Sequence, residues 1–110
     1  MYFIYIIGCE GGLLYTGITN DIERRMDEHF GRMEKCAKFT RSHKALSLEA
    51  VWSCEDRSLA SKLEYRIKQL SKQNKLRLIA DNACFGELLG EETAELYRRE
   101  DIQRSRYVRK

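Results

Sequence analysis

The 110-residue chain has no proline at all. Every break between its elements must therefore come from glycine or from clusters of polar residues. Its apolar runs fall well short of the ~18 residues a membrane span needs, so no membrane segment is expected. The apolar stretch Met1–Gly8 is too short, and too uncharged at its front, to serve as an export signal. A cytoplasmic location is the resulting expectation. The four cysteines, Cys9, Cys36, Cys54 and Cys84, include no C-x-x-C pair, which argues against zinc. In a reducing compartment they stay as thiols, and Cys54, at the end of an apolar run, reads as core.

What is present is an ordinary globular balance, 43% apolar and 34% charged, over a length suited to one domain. The net charge of +3 is a mild bias, but its distribution is uneven. Residues 1–80 carry 14 basic against 10 acidic side chains, and residues 81–101 carry 2 against 7. The last nine residues hold four basic side chains and no acid. Between Gly31 and Lys44 lie Arg32, Lys35, Lys38, Arg41 and Lys44 with the single acid Glu34. Such a basic loop suits a phosphate-bearing partner, although a solvated surface loop has the same composition.

The patterning predicts an α+β fold. Tyr2–Ile7 is aromatic and β-branched and reads as a buried strand. Gly11-Gly12 forms a turn into a second strand, Leu13–Thr19, which makes an antiparallel hairpin. Tyr5 and Tyr15 become neighbours in most registers, whereas a slip of one residue separates them. Asn20, followed by Glu23, predicts a capped helix running to about Phe30, with Arg25 and His29 on the edge of its apolar stripe. A third strand is expected over Ser47–Cys54 and a strong helix over Asp56–Ser71. Further helix is expected over Asn74–Ala80 and over Glu91–Arg104. Residues 1–80 form the expected domain, and residues 81–110 a charged helical extension.

Two tyrosines, an arginine and a histidine brought close by local structure make a set of proton-transfer and anion-binding groups. Glu64 joins them as a carboxylate on the shoulder of an apolar helix stripe, where it needs a partner or a cation. It reads either as a boundary residue bonded to Arg25 or a tyrosine, or as a ligand for one hard divalent ion. Each member also has an ordinary explanation. The tyrosines are common strand residues, His29 suits a helix C-terminus, and Arg25 can pair with Asp21.

The order Phe3-Ile4-Tyr5, Leu14-Tyr15-Thr16-Gly17-Ile18-Thr19, Arg25, His29, Ala37-Lys38-Phe39-Thr40-Arg41 and Glu64 resembles the GIY-YIG endonuclease domain. The likeness is to its small stand-alone bacterial members, related to the nuclease domain at the start of the excinuclease C subunit. It covers about Met1 to Ile79, and several motifs in the right order make it specific. It departs at Phe3 and Thr16, where the family motifs have glycine and isoleucine. The resemblance implies a three-stranded antiparallel sheet flanked by helices and one-metal hydrolysis of phosphodiester bonds, in DNA more than RNA, in repair or recombination. It implies Tyr5 as general base, Tyr15 and His29 as supporting hydrogen-bonding groups, Arg25 on the phosphate, and Glu64 on one Mg²⁺ or Mn²⁺. The family's helix arginine matches Arg25, four before His29, and not Arg24. Gly17 matches the glycine of the second motif, where backbone must approach closely. Arg24, Lys38, Thr40, Arg41 and Lys44 are the expected contacts to nucleic acid. Two other readings stay open, a nucleic-acid-binding module without cleavage and a protein partner or self-association through the charged C-terminal segment.

Overall fold

A computed structural model describes residues 1–31, 38–101 and 107. Strand β1 (Tyr2–Cys9) turns through Glu10–Gly12 into β2 (Leu13–Thr19). Gly11 and Gly12 take φ of 78° and 71°, a left-handed conformation that side chains with a Cβ avoid. Helix α1 (Ile22–Phe30) and the short α2 (Lys38–Ser42) follow. Strand β3 (Ala45–Cys54) then leads to α3 (Arg57–Gln69) and α4 (Lys72–Ala80). The chain closes with α5 (Phe85–Leu89), α6 (Glu91–Ala94) and β4 (Arg98–Arg99).

The antiparallel sheet has the order β2-β1-β3-β4, so it has four strands where three were expected. The extra strand is only two residues long, Arg98 beside Ser53 and Arg99 beside Trp52, too short to leave an alternating pattern in sequence. Helix over Glu91–Arg104 is likewise corrected. It stops at Ala94, the chain then extends along β3, and residues 102–104 lie outside those described. Strand β3 also starts two residues early, at Ala45.

Helix α1 is capped by Asp21, one residue later than expected, with its carboxylate accepting from the Arg24 amide at 3.1 Å. Asn and Asp cap about equally well, so the pair Asn20-Asp21 leaves the first turn ambiguous by one residue. Here Asn20 instead accepts from the Arg24 guanidinium at 3.3 Å. Asp56 and Ser71 cap α3 and α4 in the same manner.

Strand β1 is apolar throughout because both its faces are covered. Ile4 and Ile6 pack with Trp52, Leu63, Ile67 and Leu78 on the α3 side. Tyr5 and Ile7 pack with Ile22, Met26, Leu48 and Val51 on the α1 side. Cys54 is buried in the first of these layers, as its apolar setting implied. Phe85, Leu89 and Tyr97 belong to that same layer, so residues 85–97 share the core of the sheet. Trp52, fully buried, donates its indole N–H to Asn82 Oδ1 at 2.8 Å and lies under the Arg99 guanidinium. Among the described residues no helix is long and apolar enough to cross a membrane.

Asn82→Ala leaves the buried indole N–H without its acceptor, which costs about 1–3 kcal/mol. Urea unfolding should show a lower midpoint with an unchanged slope, while Asn82→Asp, which keeps an acceptor, should lose less.

Candidate active site

The hairpin register sets Tyr5 opposite Gly17 and Ile7 opposite Tyr15. The two tyrosines are therefore diagonal neighbours on one face, with ring centroids 6.3 Å apart. Gly17 is what lets the Tyr5 ring lie across β2. A Cβ there would sit 2.5 Å from the phenol oxygen and 2.7 Å from Cζ, closer than carbon atoms tolerate.

Helix α1 supplies the next two groups from its sheet-facing edge. His29 is fully buried between two hydroxyls, with Nε2 2.7 Å from Tyr5 Oη and Nδ1 2.7 Å from Thr40 Oγ1. Arg25 also bonds the Tyr5 phenol. A guanidinium can only donate, which leaves the phenol hydrogen for His29 Nε2. The imidazole proton then sits on Nδ1 and is donated to Thr40. A single chain of bonds thus runs from Arg25 through Tyr5 and His29 to Thr40.

The electrostatics follow from this burial. Desolvation lifts the Tyr5 phenol far above its ordinary value near 10, and the Arg25 hydrogen bond only partly offsets the rise. Burial, helped by the Arg25 charge, lowers the His29 imidazole to about 4, so it is neutral at pH 7. Burial also works against the Arg25 charge, but bonds to Glu28 and Tyr5 outweigh it and hold the guanidinium firmly protonated. Glu28 reaches Arg25 at 2.7 Å, at i+3. The pairing with Asp21 that the sequence also allowed is replaced by this one, because Asp21 is occupied in capping α1.

Tyr15 meets His29 by ring contact, at 5.6 Å between centroids, and stacks on Phe39 at 5.4 Å. The hydrogen bond expected of it toward this cluster is not among its contacts. Phe39 in turn stacks on His43. Helix α2 therefore faces the site with Phe39 and Thr40 and turns Lys38 and Arg41 to solvent. Thr40 corrects the sequence reading. It was expected on nucleic acid, but its side chain is fully buried and turned inward onto His29. Lys44 is half-buried, with its backbone amide bonded to Glu10. Arg24 is exposed on α1 beside Arg25.

Glu64 comes from the other layer. Helix α3 packs against the opposite face of the sheet, close to β2 and β1, and Glu64 is partly exposed on its shoulder. Its carboxylate pairs with Lys68 at 3.4 Å, one turn on. Its charge is still near enough to raise the Tyr5 phenol. Four of the five expected catalytic residues thus gather around Tyr5 in one cluster, and the fifth approaches across the edge of β2, which is an outer strand of the sheet. Glu28, Phe39 and the inward role of Thr40 were missed. Only the Arg25/Glu28 spacing of three offered a readable signal.

The family model described as the GIY-YIG catalytic domain matches residues 1–77. The UPF0213 protein YhbQ of Escherichia coli is 47% identical over 88 residues, covering 80% of this chain and 86% of that protein. The protein of the same name from Shigella boydii serotype 18 matches to the same extent. Among solved structures, the solution NMR structure of the UPF0213 protein BH0048 from Bacillus halodurans is 33% identical, with a TM-score of 0.45. That match covers 73% of this chain and 84% of the other.

Gly17→Ala should push the Tyr5 ring off Arg25 and His29. A displacement of ~1 Å at a reacting group costs on the order of 10²-fold in rate, so any turnover the site supports should fall that far while the fold survives. The check is activity set beside the near-UV spectrum. The buried imidazole also makes stability depend on pH. Its folded pKa of about 4 lies below the unfolded value near 6.5, so between those pH values the unfolded chain binds the extra proton. Stability should therefore decline as pH falls from about 6.5 toward 4, and urea midpoints across that window should be flatter in His29→Gln.

Proposed function

The chain belongs to the GIY-YIG catalytic domain family, and we propose that it is a divalent-metal-dependent endonuclease hydrolysing phosphodiester bonds in DNA. The observation that carries this reading is the Tyr5 phenol, held between a guanidinium that can only donate and a neutral imidazole nitrogen that can accept. A tyrosine that merely packs in a strand needs neither.

Tyr5 cannot rest as a free phenolate, because burial drives its pKa upward. Its role is that of a relay. As the phenol oxygen takes a proton from the attacking water, its own hydrogen passes to His29 Nε2 along the 2.7 Å bond. The imidazole then carries both ring protons, with Thr40 fixing the Nδ1 side. Arg25 steadies charge on the phenol oxygen and offers its other N–H groups to a phosphate oxygen. Glu28 holds that guanidinium in place. Tyr15 closes one wall of the site with Phe39 and keeps bulk water from the imidazole.

Glu64 is the residue that would hold a metal. The fit test is one of donor chemistry. The described residues hold no cluster of three or more metal-ligating side chains, and Glu64 offers one partly exposed carboxylate. That suits Mg²⁺ or Mn²⁺, a hard ion that keeps several waters and takes one or two carboxylates together with substrate phosphate oxygens. Bound there, such an ion would neutralise charge on the phosphate and ease departure of the leaving oxygen. Lys68 now shares the carboxylate and would have to yield it.

Purified protein should cleave branched, single-stranded or duplex DNA when Mg²⁺ or Mn²⁺ is supplied. Tyr5→Phe, Arg25→Ala and Glu64→Gln should each reduce cleavage by roughly 10²–10⁴-fold, the range for loss of a proton-transfer or charge-stabilising group, with circular dichroism unchanged. Binding without cleavage of any DNA or RNA, with either ion, would leave a nucleic-acid-binding module in place of the enzyme.

A further inference from the structure

Beside the four-residue cluster lies a cleft of about 300 Å³ that none of the assignments above uses as a site. Arg24 and Arg25 of α1 form one wall, and Arg57 of α3 forms the other. Tyr2 and Ile18 line it, and Asn20 stands at its rim. The one carboxylate in its lining, Glu28, is engaged with Arg25. Among the described residues Arg57 pairs with no carboxylate, and its neighbour Asp56 is occupied in capping α3. Three arginines thus line one cleft at the edge of the sheet, with one acid to answer them.

The placement gives the cleft a direction. Arg57 and Glu64 are seven residues apart on α3, two turns, so they share one side of the helix about 10 Å from each other. Arg25 belongs both to the cleft and to the Tyr5 cluster. Glu64, Arg25 and Arg57 therefore mark a path from one helical layer to the other around β2.

We propose that this cleft is a second phosphate subsite, in which Arg57, with Arg24, grips the backbone of the bound strand at a phosphate neighbouring the one held by Arg25. The inference rests on the nucleic-acid reading above but not on hydrolysis. Arg57 acts as a binding residue with no part in the chemical step. Its guanidinium suits a phosphate in bidentate fashion, which a lysine does not match.

The test is fluorescence anisotropy with labelled single-stranded DNA of increasing length, without divalent ions so that nothing is cut. Arg57→Ala should weaken binding about 3- to 10-fold and reduce the slope of log K against log salt by about 0.7–1, the signature of one lost phosphate contact. Lengthening the strand one nucleotide at a time should raise the wild-type affinity more than that of Arg57→Ala. Lys62→Ala, on another side of α3, removes the same charge and should change affinity little; Arg57→Lys should recover only part of the loss. Arg57→Ala binding like the wild type, or no more weakly than Lys62→Ala, overturns the subsite. Failure to cleave any substrate leaves these binding measurements decisive, so the two readings fail separately. No DNA binding by the wild type sinks both.

Discussion

The hydrogen bond between the Tyr5 phenol and His29 Nε2, buried away from bulk water, is the contact on which the site depends. Burying two titratable rings is costly unless each polar atom is satisfied, and here the satisfaction is shared along a chain. Arg25 donates into one end, and Thr40 receives at the other. Glu28 in turn anchors Arg25. Removing the Tyr5 hydroxyl or the His29 imidazole takes a hydrogen-bond partner from a buried group, so these five residues form a single unit rather than separate contributors. The same burial sets both proton affinities, lifting the phenol and lowering the imidazole. Neither ring is charged at rest, and a proton can pass between them without a buried ion being stored beforehand.

Backbone geometry makes that contact possible. Tyr5 reaches His29 only because its ring lies across Gly17, and Gly17 is opposite Tyr5 only in the register the hairpin adopts. A shift of one residue would turn Tyr15 to the other face and set a side chain under the ring. The two positive-φ glycines of the turn, Gly11 and Gly12, are therefore tied to the chemistry of residues well away from them. The aromatic run Tyr15, Phe39 and His43 then holds α2 against the hairpin and keeps Thr40 inward.

Much of this was legible in the chain. The hairpin, α1, β3 and α3 follow from apolar periodicity and from capping residues, with boundaries off by a residue or two where two adjacent residues cap equally well. The grouping of Tyr5, Tyr15, Arg25 and His29 was readable because all four lie on consecutive local elements. Thr40 was misjudged for a physical reason. Set among Lys38, Arg41 and Lys44 it looks like part of a basic surface, yet on a five-residue helix its neighbours point outward while it turns in. The helix expected over Glu91–Arg104 was misjudged because the acidic composition there hides anchoring contacts, Tyr97 in the core and Arg99 laid over Trp52. Long-range packing of that kind leaves no periodic trace.

The two layers of the fold also explain why the chemistry is divided as it is. An edge strand offers unpaired backbone and is usually a liability for association. Here β2 is such an edge, and the groups with chemistry to do approach it from both sides. The proton-handling rings lie on the α1 side, where burial tunes them and water is excluded. The carboxylate Glu64 lies on the α3 side, where it is partly exposed. One environment could not serve both needs, since the dryness that keeps His29 neutral would also penalise an ionised glutamate. Placing them on opposite sides of β2 lets each keep the dielectric it requires, while Arg25, half-buried beside the rings, also lines the cleft that Arg57 of α3 closes.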